Sequence, residues 1–514
     1  MSKTIIIIGA GLAGLSAALQ AAENGCNVKL VSSLPSERAQ SVMAEGGINA
    51  ALNTKDENDS PEEHFTDTIK AACGLADPNA VWGMTQAAPE LVHWLLKLGV
   101  KFNMSGYDDV DLRNFGGQKK KRTAFAQSDT GKQIMTAMID AVRRKEASGM
   151  VERFSHHSFL TLRLCGNICC GCVIRDEYSQ ETVELPGDAV IVATGGMHGL
   201  FGNTTGSLNN TGEVTAELFR LGVPLANGEM IQYHPTTVKC GGKRMLISEA
   251  ARGEGGRLFA MKDGKQWYFM EEKYPELGNL MPRDITAREI WKVSHESEVF
   301  LDMTKISEEI ISNKLSGLAD DCMTYLHKDI RKEPVPVLPG IHYFMGGILV
   351  DEQHRTPIQN LCAAGECCAQ YHGANRLGGN SLLGALYGGR VAAKSACEQA
   401  DVVDLSCATQ IDFPLASQIS EIKQLNKVMQ ETMGVVRNEN TLLNGIQTVQ
   451  ALTGNLPLLG MAVLKSALAR KESRGAHWRE DYPKSNDDDY LKTTVARFDG
   501  KQIQISFVPV PERR

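Results

Sequence analysis

The chain opens on a short apolar run, "TIIII" (residues 4–8), that gives way at once to Gly9-x-Gly11-x-x-Gly14. A small, apolar, helix-forming segment follows as far as Gly25, and "CNVKLVS" then reads as a second strand. A glycine fingerprint that follows a strand and opens a helix predicts a βαβ unit built to hold a dinucleotide. The glycines permit the tight turn, and the free N–H groups at the helix start favour a pyrophosphate. The plain alternative is a tight strand–helix turn without a ligand. Two later apolar runs repeat the pattern. "DAVIVATGG" (188–196) ends in a glycine pair, and "IQNLCAAGECC" places Gly365-Glu366 after an apolar strand. "HGANRLGGNSLLGALYGGRVAA" then puts Gly378-Gly379 before a helical run, so a second helix N-terminus is expected beside the ligand. The candidate contacts are Gly9, Ala10, Gly11, Leu12, Ala13 and Gly14 in the first turn, and Ala193, Thr194, Gly195 and Gly196 after the later strand. Glu366 and the helix start Asn380, Ser381, Leu382 and Leu383 complete them.

One part of the fingerprint is missing. The acidic residue expected about twenty positions on, for the ribose hydroxyls, is replaced by Ser32-Ser33. This weakens a simple NAD reading and leaves FAD open. No second glycine fingerprint stands in a strand–helix setting, so one dinucleotide site and no separate nicotinamide site are expected.

The two nucleotide-type segments, 1–226 and 343–400, flank an insert, 227–342, of different character. It carries "HPTTV", "SEAARGEGG" and "MPRD", and it is expected to cap the nucleotide fold and enclose a cleft. From 401 to 514 the pattern turns helical, as in "ISEIKQLNKVMQETM", and closes on the strand-like "KQIQISFVPV". With 514 residues, a net charge of −7 and a pI near 6.0, the chain has no basic field for nucleic acid. Its one basic run, 119–122, reads as a solvated loop. No apolar stretch is long enough to span a membrane, and no signal peptide is expected ahead of the strand at Thr4. Thirteen cysteines in such a chain point to reduced thiols and a cytoplasmic setting. Cys165, Cys169, Cys170 and Cys172 lack metal-site spacing and fall on two strand-like runs joined at Gly166-Asn167, so no metal is expected.

In this order the motifs resemble the fumarate reductase/succinate dehydrogenase flavoprotein family, which includes L-aspartate oxidase. The resemblance runs over nearly the whole chain, on "GAGLAGLSAAL", "AEGGINAAL", "RTAFAQSDTGKQI", "VATGG", "IQYHPT", "SEAARGEGG", "PRDITAREI", "HYFMGG", "AAGE" and "HGANRLGGNSLL". "RKESRGAHWREDYP" (470–483) is closer to the fumarate/succinate branch than to aspartate oxidase. The chain is shorter after Arg376 than the membrane-complex subunits, so a reduced C-terminal docking surface is expected. The resemblance implies an α/β fold: a discontinuous Rossmann-like FAD-binding domain, an inserted α+β capping domain and a C-terminal helical region.

The resemblance also assigns roles. A four-carbon dicarboxylate needs both carboxylates held, hydride delivered to one face and a proton supplied to the other. His234, Ser248, His342 and Arg376 are implied to hold the carboxylates, with Ser248 standing where the family usually has Thr. Phe125 and the 115–117 loop are implied to line the pocket. Arg283 takes the place of the proton donor, an odd acid because its pKa lies above about 12. Glu249 and Arg252, three apart on one helical face, match a relay that could restore its proton. Each has a bland counterpart: a structural histidine, a surface Arg283–Asp284 pair, an ordinary helix pair. "AEGG" is implied to lie against the flavin, which adds Ser41, Ala44, Glu45, Gly46 and Gly47, and Arg376, to the cofactor contacts. Gln40 then stands where membrane-complex relatives carry the histidine that bonds covalently to the flavin. Glutamine cannot form that link, so non-covalent FAD is expected, with a lower potential that favours reduction of fumarate to succinate. With no nicotinamide or iron–sulfur motif in the chain, an iron–sulfur subunit or other carrier is expected as electron donor, with membrane association only through partners. The alternatives are an L-aspartate oxidase making iminoaspartate, and a non-catalytic or RNA-modifying flavoprotein.

Overall fold

In a computed structural model that describes residues 2–106, 108–399, 413 and 418–514, the glycine fingerprint sits at the centre of a five-stranded parallel sheet. Its order is Leu361–Ala363, Ala189–Val192, Thr4–Ile8, Asn27–Ser32, Val151–Ser155. Ile5 to Ile8 are buried on both faces, as a parallel strand covered by helices on both sides requires. Val190 pairs with Leu361, so the segments either side of the insert close one sheet. The small residues of helix Leu12–Glu23 let the long helix Asn380–Gln399 approach closely. A Cβ on Gly389 would stand 2.3 Å from the Ala13 carbonyl oxygen, and the Ser16 hydroxyl donates to the Leu386 carbonyl at 2.7 Å.

Between these segments the chain builds two antiparallel sheets. Ile231–Cys240 pairs with Lys243–Leu246 on one side and Leu338–Phe344 on the other. Arg257–Lys262 lies in the second sheet with Lys265–Trp267, Val299–Asp302 and Val335–Pro336. An apolar cluster running from Ile247 to Val337 forms their core and takes in only Phe115 from outside. C-terminal helices Ile419–Thr432, Glu439–Val449 and Asn455–Ala469 share a further core with Phe201, Phe219 and Phe344. The strand-like tail forms a hairpin, Lys492–Phe498 with Ile503–Pro509, that adds to a sheet containing Leu225–Ala226, Gly347–Leu349 and Cys368–Ala369. The boundary expected at 400/401 falls outside the described residues. Among the described residues no helix is long and apolar enough to cross a membrane.

The cysteine-bearing runs form the expected hairpin, His157–Cys165 with Ile168–Asp176, and Cys169 and Cys172 are buried in it. The basic run is a correction. Lys119 and Lys121 are exposed, but Arg122 is fully buried and grips Asp59 through Nε (3.1 Å) and Nη2 (2.8 Å), with Asp67 at 2.9 Å. A buried guanidinium needs such partners, and both stand more than fifty positions upstream, out of reach of a local charge pattern.

Candidate functional site

One cavity of about 850 Å³ runs from the glycine turn, past residues 38–47, to the insert. Its wall contains Gly9, Ala10, Gly11, Leu12, Ala13, Ser32 and Ser33 at one end. Ser41, Ala44, Glu45, Gly46, Gly47, Ala193, Thr194, Gly195, Glu366, Ser381 and Leu382 follow along it. The first helix opens into this space at Gly11 with no cap from its own N-cap residue and no acidic residue in its first turn; Leu12 N–H makes a long bond to the Ser41 hydroxyl at 3.3 Å, and the positive end of the helix favours an anion. Gly9 holds φ +110, and a Cβ there would meet the Ala193 carbonyl at 2.3 Å. The Ser32 hydroxyl is buried without a partner at the end of the second strand. These features fit a dinucleotide.

The stretch that holds Gln40 is two 3₁₀ turns, Ser36–Arg38 and Gln40–Met43, leading to the strand Ile48–Asn49. Gln40 lines the cavity. The glycine pair answers to protein as well as to the cavity: a Cβ on Gly46 would meet the Phe115 ring at 2.8 Å, and one on Gly47 the Ala124 carbonyl at 2.5 Å. Glu45 Oε2 is buried without a partner, and burial, then Asp321 and Asp129, push its carboxyl up to about 8. It is therefore uncharged at neutral pH and can lie against a flat aromatic ligand at little electrostatic cost.

At the insert end the wall gathers His234, Ser248, Glu249, Arg283, His342 and Arg376. Ser248 caps the short helix Glu249–Gly253, accepting from the Ala250 N–H at 3.4 Å, which fixes the carboxylate that follows. Arg283 begins helix Arg283–Val293 and donates to Glu249 Oε2 through Nε (2.9 Å) and Nη2 (2.6 Å). Arg252 Nη2 donates to the other oxygen, Oε1, at 3.3 Å. Burial alone would raise the Glu249 pKa, but Arg283 and Arg252 outweigh it and hold the carboxylate below its usual range. Arg283 thus pairs with Glu249, not with Asp284.

His234 and His342 lie 5.1 Å apart, ring to ring. Burial, and then the positive charge of Arg283, hold both well below the usual histidine range, so both are neutral donors or acceptors at pH 7. Thr205 Oγ1 lies 2.8 Å from His342 Nδ1 and 3.4 Å from the Ile341 carbonyl, so its single proton can go to either and the His342 tautomer follows that choice. Arg376 is 3% exposed, stacks over Tyr343 at 4.4 Å and has a buried, unpartnered Nε. Burial and Arg283 push it down to about 9, the mark of a cation that lacks an anion.

Not every expected residue reaches the cavity. Phe125 is fully buried beneath the Arg113 guanidinium, 3.6 Å from its ring centroid, and is absent from the wall that Phe115 does line. Arg252, Gly14, Gly196, Asn380 and Leu383 stand behind the surface. A Cβ on Gly14 would be 1.8 Å from the Gly9 carbonyl, and one on Gly196 2.7 Å from Glu366 Oε1, so both are packing positions. Asn380 joins a buried network with Asn49 (2.7 Å) and His64 (2.9 Å).

Other residues escaped the sequence reading. Gln232 accepts from Arg283 Nη1 at 3.0 Å and donates to the Arg376 carbonyl at 2.8 Å, tying the two cations together. Its place two residues before His234 in "IQYHPT" was the available signal. Glu213, first residue of helix Glu213–Arg220, lines the cavity with Glu177 and brings the acidic group that the second strand lacks. "TGE" ahead of a helical run could have marked it.

The chain matches an FAD binding domain family model over residues 4–382 and a fumarate reductase flavoprotein C-term model over residues 452–513. The second match shows that a C-terminal family segment is kept in this chain. The chain is 38% identical to the succinate dehydrogenase flavoprotein subunit of Bacillus subtilis, covering 100% of this chain and 98% of that one. It is 32% identical to the 8-methylmenaquinol:fumarate reductase flavoprotein subunit of Wolinella succinogenes, covering 100% and 92%. Among solved structures it resembles a mutant form of the E. coli quinol fumarate reductase chain FrdA, with TM-score 0.90, 27% identity and coverage of 99% and 97%.

Proposed function

We propose that this chain, which belongs to the succinate dehydrogenase/fumarate reductase flavoprotein family, reduces fumarate or a close unsaturated dicarboxylate to succinate. The observation that carries the reading is the chain Arg252–Glu249–Arg283, set beside a buried, unpaired Arg376. A dianion supplies the charge that Arg376 lacks, and Arg376 can hold one carboxylate through two parallel N–H donors. His342, donating through a ring N–H, and His234 and Ser248 serve the other carboxylate. Being neutral, they orient it without adding positive charge to a site that already holds Arg283 and Arg376.

The residues that line the cavity would hold FAD, whose chemistry there would be hydride supply to one alkene carbon. Arg283 gives a proton to the other, and its positive charge stabilises the carbanion character that develops there. Glu249, bonded to both guanidinium groups, passes a proton from Arg252 to Arg283 and so resets the acid. Gln232 and Glu249 together occupy all three nitrogens of Arg283, which orients the group. The insert 227–342 acts as the cap that brings this chain over the nucleotide fold. Glu213 and Glu177 stand in for the missing ribose-binding acid. FAD is held non-covalently because Gln40 offers no nucleophilic ring nitrogen. Electrons reach the flavin from an iron–sulfur partner or carrier, and through it the chain can sit at a membrane.

The test is turnover of purified, FAD-loaded chain with a chemically reduced viologen dye and a panel of unsaturated acids. Oxidation of two moles of reduced viologen for each mole of succinate formed is expected with fumarate. No turnover with fumarate, together with peroxide release on adding L-aspartate in air, would establish the aspartate oxidase reading instead.

A further inference from the structure

Cys26 and Cys397 are 371 positions apart in the chain, yet their sulfurs stand 3.1 Å apart and both are free thiols. Cys26 follows the turn that ends helix Leu12–Glu23, and Cys397 lies in the last turn of helix Asn380–Gln399. Lys3 Nζ donates to the Cys397 carbonyl at 2.7 Å and holds that turn in place. The two helices touch along their length, through Ser16 and Leu386 and at Gly389. Their opposite ends, Leu12 and Ala13 on one and Ser381 and Leu382 on the other, line the nucleotide cavity. The thiol pair therefore sits at the far end of the two-helix unit that grips the cofactor.

We propose that Cys26 and Cys397 form a reversible disulfide that clamps these two helices together and slows loss of FAD. The chemistry is exchange with a small-molecule disulfide. Cys397, the half-buried and more accessible partner, attacks one sulfur of the reagent as thiolate and releases one thiol. Cys26 then displaces the second thiol, so two protein thiols give up two protons and two electrons and the reagent is reduced to two thiols. The sulfurs stand 3.1 Å apart before oxidation and must close to the bonded distance of about 2 Å. Burial, then the neighbouring Cys26, push the Cys397 thiol up to about 12, so exchange is slow at neutral pH and speeds up in mild alkali. The effect on FAD rests on the non-covalent reading above; formation of the disulfide does not.

The test compares FAD-loaded full chain incubated with oxidised glutathione at mildly alkaline pH with the same protein kept in dithiothreitol. Digestion of the oxidised sample is expected to yield one peptide pair linked through Cys26 and Cys397. On dilution or mild heating, the oxidised chain is expected to release FAD several-fold more slowly. Cys26→Ser and Cys397→Ser variants are expected to show neither effect. Absence of the linked pair, a glutathione adduct that stays unresolved on Cys397, or equal release rates in the two states would overturn the proposal. Flavin that stays with acid-precipitated chain in both states would contradict the non-covalent reading instead. The clamp is then read from amide exchange in the two helices, and exchange that the disulfide fails to slow overturns it.

Discussion

Arg376 is the residue on which the substrate argument turns. A guanidinium buried to 3% exposure, over an aromatic ring and beside a second arginine, is costly to keep charged unless an anion joins it. Its sequence context, "ANRLGG", marked it only through the family resemblance; the burial that explains it is tertiary. Gln232 was marked only by its place in "IQYHPT"; its role was not legible, because its partners stand 51 and 144 positions away and a buried glutamine leaves no periodic trace. Arg122 was misread for the same reason: a run of four basic residues looks solvated until Asp59 and Asp67 are brought to it. Gln40 was marked through the family resemblance, and the structure sets it in the cavity wall; non-covalent attachment is the proposal drawn from it. Precipitation of the loaded protein with acid is expected to leave FAD in the supernatant and a colourless pellet. Flavin that stays bound to the denatured chain would contradict that reading.

At the scale of elements, the strand–turn–helix unit was the most legible part, because its signal is local and its glycines answer to specific neighbours. Gly9 at φ +110 and Gly14 against the Gly9 carbonyl permit no side chain, whereas Gly25 at φ +78 has nothing within 4 Å. The two kinds of glycine therefore separate strain from contact. Gly14→Ala is expected to leave protein without FAD and less stable by about 1–3 kcal/mol, the usual range for overpacking. Gly25→Ala is expected to cost about 1–2 kcal/mol for the left-handed backbone alone and to keep full FAD content. Flavin absorbance per chain and a denaturant titration of each variant check both. The edge strand Val151–Ser155 went unread, since "VERFS" has too few apolar positions to stand out and is held by pairing with Asn27–Ser32. The C-terminal tail was read as a strand, but its hairpin partner Lys492–Phe498 pairs in turn with Leu225–Ala226, more than 260 positions back, and only the fold reveals that.

Across the whole molecule, two distant stretches of chain close one parallel sheet while the segment between them makes its own core and carries Glu249 and Arg283 to the cavity, with Arg252 behind them. That arrangement puts the glycine turn and the Glu249–Arg283 pair at opposite ends of a single space of about 850 Å³. The order of motifs made this plan legible from the sequence; the side-chain geometry that joins Arg283 to Glu249 and Gln232 was not. The central claim is that Arg283, recharged through Glu249 and Arg252, is the acid that completes reduction of the dicarboxylate. It is tested most directly by single-turnover and steady-state reduction of fumarate in Arg283→Ala loaded with FAD to the wild-type level. The rate is expected to fall by about 10²–10⁴-fold, the usual contribution of a positioned acid, at equal FAD content, with a lower thermal midpoint because buried Glu249 loses its main partner. A rate within a few-fold of wild type at equal FAD content would contradict it.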